Sequence, residues 1–93
     1  MGQPVEGDAA QPFVLFIADN SPHSRAALAN LHRALATLGR SESEIEIIDV
    51  FDRPDLAASA RVFVTPALFR RSDPTARIHG DLSASQQLLE FLA

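Results

Sequence analysis

The 93-residue chain contains no cysteine, tryptophan, tyrosine or lysine, and its single methionine is Met1. Without cysteine there can be no disulfide, no thiolate catalysis and no cysteine metal site. Without lysine every basic side chain apart from histidine is an arginine, whose planar fork of donors suits carboxylates at interfaces. Long apolar runs are missing too. The longest, Phe13 to Ala18, has six residues, far short of the ~20 that span a bilayer. The first dozen residues carry Glu6 and Asp8 and no apolar stretch, which does not read as a secretory signal. The expected location is the cytoplasm, and no membrane partner is expected.

What remains is enough for one small domain with a single core. Hydrophobic content of 46% with 22% charged residues is ordinary for a globular fold. The net charge of −4 argues against nucleic acid as a partner. Charge is unevenly spread: Glu42, Glu44, Glu46, Asp49 and Asp52 form a stretch with no base, while Arg53, Arg61, Arg70, Arg71 and Arg77 fall in the second half. Such charges are ordinarily a solvated surface; arginines gathered in one half are also the residues an acidic partner would engage.

Residues 1 to 12, with two glycines, two prolines and two acids, read as a flexible tail ahead of a domain from 13 to 93. Phe13 to Ala18 is a continuous apolar strand, as expected where both sheet faces are covered. Ser21 suits an N-cap and Pro22 the first helical position. Leu28, Leu31, Leu35 and Leu38 then share one helix face, and Gly39 can take the left-handed conformation after it. Ile45 to Val50 is a β-branched strand, so the first three elements predict a parallel crossover. Asp52-Arg53-Pro54 opens a shorter helix through about Ala60, with Asp52 or Arg53 as the cap. Strands over Ala67–Arg70 and Thr75–His79 flank Arg71-Ser72-Asp73-Pro74, which reads as a hairpin turn. Ser83 with Gln86 predicts a capping box for a last helix whose apolar face is Leu88, Leu89 and Leu92.

The order βαβαββα, with Thr65-Pro66 before the third strand, resembles the thioredoxin arrangement. That family places a reactive Cys-x-x-Cys after the first strand, beside a cis proline. Here that loop is Asn20-Ser21-Pro22-His23, and Pro66 is the candidate structural cis-proline. A closer resemblance, over residues 13 to 92, is to the KaiB family. Ala18-Asp19-Asn20-Ser21-Pro22-His23-Ser24 resembles its Ala-Gly-Asn-Thr-Pro-Asn-Ser. Ile48-Asp49-Val50 with Pro54-Asp55-Leu56-Ala57, Val64-Thr65-Pro66-Ala67-Leu68 and Ile78-His79-Gly80-Asp81-Leu82-Ser83 are similar to three further family segments, in the same order. The resemblance implies a non-enzymatic partner of a KaiC-like hexameric ATPase and autokinase, with Arg25 and Arg61 at the family's basic positions for partner contact. It also implies a metamorphic fold, in which a βαββααβ form (a tetramer in that family) is the alternative to the thioredoxin-like form that docks on KaiC, so self-association as a dimer or tetramer is a further expectation. Related thioredoxin-like domains serve as the sensor end of a KaiC-binding histidine kinase.

The departures from that pattern are informative. Phe91 and Ala93 stand where clock members carry a glycine and an aspartate. Glycine inside a helix costs ~1 kcal/mol relative to alanine, so these residues favour a helical ending and a thioredoxin-like resting state. Glu46 stands where clock members carry lysine, which alters partner contact there. The competing reading is a cysteine-less thioredoxin or glutathione-transferase-like enzyme, with Ser21 activating a bound thiol; Ser21 as an N-cap is the simpler account. His23, His32 and His79 have no metal-ligand spacing, and no cofactor is expected.

Overall fold

The computed structural model describes residues 11–93, and the first ten residues of the expected tail lie outside them. The elements are β1 (Phe13–Ile17), α1 (Pro22–Leu38), a 3₁₀ turn (Glu42–Glu44), β2 (Ile45–Asp49), α2 (Pro54–Ser59), β3 (Ala67–Arg70), β4 (Asp73–His79) and α3 (Ser85–Leu92). They form one four-stranded sheet in the order β2-β1-β3-β4. β1 and β2 run parallel, with Phe13 opposite Ile45 and Ile17 opposite Asp49. β3 is antiparallel to both β1 and β4. This is the thioredoxin-like ending, with α3 helical through Phe91.

The continuous apolar character of β1 follows from its place inside the sheet. Phe13 and Leu15 pack with Leu31, Leu35, Leu68, Leu88 and Leu92 beneath α1 and α3. Val14 and Phe16 point the other way, to Ile48, Leu56, Ala57 and Phe69 beneath α2. Alternate residues of one strand thus feed two cores, so no position is left for a polar side chain. Phe16 and Phe69 meet edge to face with centroids 5.3 Å apart, a favoured aromatic geometry.

α1 is delimited as its sequence indicates. Ser21 Oγ accepts the Ser24 N–H at 3.2 Å, Pro22 opens the helix, and Gly39 closes it at φ +67. In α2, Arg53, one of the two residues expected as the cap, holds the N-cap position, without a side-chain hydrogen bond. At its end the Arg61 and Val62 N–H groups bond back to Ala58 O and Ala57 O, with Arg61 at φ +56. This is the Schellman closure, here made by a non-glycine residue.

Two expectations are corrected. The hairpin turn is Arg71-Ser72 alone, and β4 already begins at Asp73. Asp73 pairs with Arg70 across a register shift between Phe69 and Arg70. An edge strand with a bulge can hold Pro74, which a central strand could not. The Ser83/Gln86 capping box does not form, because α3 starts at Ser85 with Ala84 at the N-cap. Leu82, 3% exposed and at φ +62, turns the chain inward to reach the core. Ser83 is thereby committed to Asp81, whose Oδ1 accepts its N–H at 3.0 Å. Gln86 instead donates to Glu90 along the helix. A capping box does form at the 3₁₀ turn, between Ser41 and Glu44. Gln11 and Pro12, expected as tail, accept hydrogen bonds from Arg71 at 2.6 and 2.8 Å.

Candidate functional site

The strand registers bring the chemistry-bearing loops to one end of the sheet. Phe16 lies opposite Ala67, and Ala67 opposite His79. Val50 N–H donates to Ile17 O, and Gly80 N–H to Pro66 O, both at 2.9 Å. The Asp19–His23 loop, the start of the β2–α2 connection, Thr65-Pro66 and Gly80-Asp81 therefore share this end. The Thr65–Pro66 peptide is cis, and Pro66 is buried.

The loop at the redox position is held by a network of two serines. Ser24 is fully buried, and its Oγ accepts from both the Ala18 N–H (3.1 Å) and the Ser21 hydroxyl (2.8 Å). Ser21 therefore spends its proton on Ser24 and its lone pair on the helix N-terminus. A serine nucleophile needs a general base at that proton. Two grooves on the α1 side of the sheet, of about 380 and 110 Å³, are lined by neither Ser21 nor Pro66. Hydrogen bonds from Ser83, with the nearby His23 contributing, hold the Asp81 carboxyl below the usual carboxylate range. Among the described residues no cluster of histidines and acids could hold a metal ion.

The arginines anticipated as partner contacts are displayed. Arg25 in the first turns of α1 and Arg61 after α2 are both exposed, and the Arg25 guanidinium has no ion pair among the described residues. Arg61 uses its backbone internally, its N–H bonding Ala58 O and its carbonyl accepting from Arg77 at 3.2 Å. Glu46 is differently placed. It is half-buried in β2 and accepts from the buried Arg71 of the β3–β4 turn, so it is part of the scaffold as well as a surface charge. Phe91 sits in α3 with its ring 6.0 Å from Phe13 and the Arg70 guanidinium 4.7 Å above it. Ala93 closes α3, its N–H bonded to Leu89 O.

Sequence reasoning missed the apolar residues of this end. Phe51 is 71% exposed, Phe63 87% and Val64 56%. Phe51 lies just beyond β2, and Phe63 and Val64 lead into the cis peptide. In sequence they look like any other core-bound phenylalanine or valine. The available signal was position, since an apolar triplet directly before Thr-Pro sits in no strand or helix.

Comparison with known proteins agrees with this geometry. The KaiB domain family matches residues 14–93. The circadian clock protein KaiB3 of Synechocystis is 36% identical over 76 residues, covering 81% of this chain and 74% of its own. The circadian clock oscillator protein KaiB of Parasynechococcus marenigrum is 37% identical over the same length, covering 81% and 73%. The solution structure of the N-terminal domain of SasA from Synechococcus elongatus superposes with a TM-score of 0.60 at 30% identity, covering 98% of this chain and 90% of that domain. A thioredoxin-like frame with no redox cysteine, a cis proline and this set of relatives lead to one assignment: the chain belongs to the KaiB family.

Proposed function

We propose that the protein is a non-catalytic clock-type module that docks on a KaiC-like hexameric ATPase and modulates its phosphorylation or ATPase cycle in a circadian, timer or stress-response system. The observation that carries this reading is the exposure of Phe51, Phe63 and Val64 on a thioredoxin-like frame, in a chain whose exposed Arg25 and Arg61 match the family's basic positions. Aromatic and arginine side chains are the residues that dominate binding energy at interfaces. Family membership and the likeness to the SasA domain support the choice of partner. The Ser21–Ser24 pair weighs against the enzymatic alternative, because it leaves the hydroxyl without a base. Glu46 enters as a change of charge on β2, opposite to the lysine of clock members.

The test is binding to a co-encoded KaiC-type ATPase, with and without ATP. Arg25→Ala and Arg61→Ala should each weaken binding with almost unchanged melting temperature. The loss should be about tenfold or more where the contact is buried and smaller at a rim. Phe63→Ala should weaken it at least as much, since its side chain supports nothing within the fold. Binding should also decline with added salt. Undiminished binding by all three variants at low salt would exclude this surface, and no binding by the wild type would exclude the partner.

A further inference from the structure

The C-terminal turn of α3 is held by side chains from two other parts of the fold. Arg40, just after α1, donates from Nη1 to Leu92 O, and Arg70, at the end of β3, donates from Nη2 to Phe91 O at 3.0 Å. Both guanidinium groups also cover rings, Arg40 that of Phe13 at 5.5 Å and Arg70 that of Phe91 at 4.7 Å. Positive charge at a helix C-terminus meets carbonyls that have no partner within the helix and the negative end of its dipole. The two ties differ in what holds them. Arg40 is gripped by Glu44, which accepts from its Nη2 at 2.6 Å and Nε at 3.3 Å. The same carboxylate accepts the Ser41 N–H at 3.3 Å, closing the capping box of the 3₁₀ turn that leads into the edge strand β2. Glu44 thus joins the entry of β2 to the end of α3 through a single arginine.

We propose that Glu44 is the control point of a latch on α3. While the carboxylate is charged and bound to Arg40, α3 opens rarely; when that grip is lost, α3 opens from the sheet several times more often, without the rest of the fold opening. The residues beneath it, Phe13, Leu15, Leu68 and Ile78, share a core with Leu88 and Leu92, so undocking would expose an apolar face. α3 is suited to be the mobile piece. It has eight residues and no side-chain cap at its N-terminus. Short elements at the edge of a core can open locally at free energies well below that of global unfolding. A cationic group brought to the acidic 3₁₀ turn would compete with Arg40 for Glu44 and release α3 from a distance.

Native-state hydrogen exchange of the full chain tests this. Glu44→Gln removes the charge and keeps the capping box, since glutamine serves equally at that position. It should speed exchange of the α3 amides roughly fivefold and leave α1 and β1 at wild-type rates. Arg40→Gln should do the same, and the double variant should be no faster than either single one. Arg70→Gln, which removes the independent tie, should add to Glu44→Gln. Unchanged α3 exchange in Glu44→Gln would overturn the latch. So would a uniform rise across all elements, or additivity between positions 40 and 44, which would mean that Glu44 acts through its turn alone.

Discussion

Each arginine whose side chain points inward does a different task with the same planar fork. Arg77 lies 3.9 Å over the Phe69 ring and donates to the carbonyls of Pro74, Ala60 and Arg61, which finishes the C-terminal end of α2. Burial lowers its pKa from the ordinary arginine value, an effect too small to discharge a guanidinium. Arg71 is 7% exposed and bonds Glu46 across the sheet, from the β3–β4 turn to β2, with a further bond to Gln11 O. Removing one member of a buried pair leaves the other charge uncompensated, which typically costs about 3–5 kcal/mol. Glu46 keeps 21% exposure, so Glu46→Ala should lower stability by less, about 2 kcal/mol in urea denaturation. Glu46→Lys should cost more than alanine because it sets like charges together beside Arg71. Equal midpoints for wild type and Glu46→Lys would show that the pair contributes nothing.

α1 is the element whose ends are best defined, and its N-terminus supports the loop before it. Ser21 caps the helix, while Ser24 satisfies both Ser21 and the Ala18 N–H. Ser21→Ala should cost about 1 kcal/mol, the usual worth of a cap. Ser24→Ala should cost about 1–3 kcal/mol, because the Ala18 N–H loses its acceptor in a buried site. The two hydroxyls share one network, so the double variant should be less destabilised than the sum. Thermal or urea unfolding of the three variants reads this directly, and strict additivity would mean that the serines act independently. α3 shows the opposite case. Its sequence carries a good capping box at Ser83 and Gln86, and burial of Leu82 took precedence. A cap is worth about 1 kcal/mol, whereas a buried leucine is worth about 1.5–3.

For the whole molecule, the charges give stability a direction with pH. Glu44, Asp55, Asp73 and Asp81 are all held below the usual carboxylate range, chiefly by side-chain hydrogen bonds from Arg40, Arg53, Thr75 and Ser83 in turn. A carboxylate whose folded pKa is lowered adds stability above its unfolded value and loses it as pH falls through the folded one. The melting temperature should therefore hold steady from neutrality to about pH 5 and decline below about pH 4. The decline should be shallow, since these groups lie at the surface and solvent screens them. A midpoint that rises on acidification would contradict these signs.

The sequence by itself determined what rests on neighbours along the chain. The βαβαββα order, the serine and glycine ends of α1 and the apolar run of β1 are all written in spacing and backbone preference. The motifs around Asn20, Asp49, Pro66 and Gly80 were enough to identify the family, because each is a short local stretch. Only the tertiary structure decided which side chains face water. Phe51 and Phe63 share their chemistry with the buried Phe16 and Phe69, and nothing along the chain separates the two pairs. Likewise, Glu46 read as a surface charge until the β3–β4 turn brought Arg71 to it. Local preference is set within a few residues, whereas exposure and charge pairing depend on partners 20 to 60 positions away, such as Arg71 with Glu46 and with Gln11.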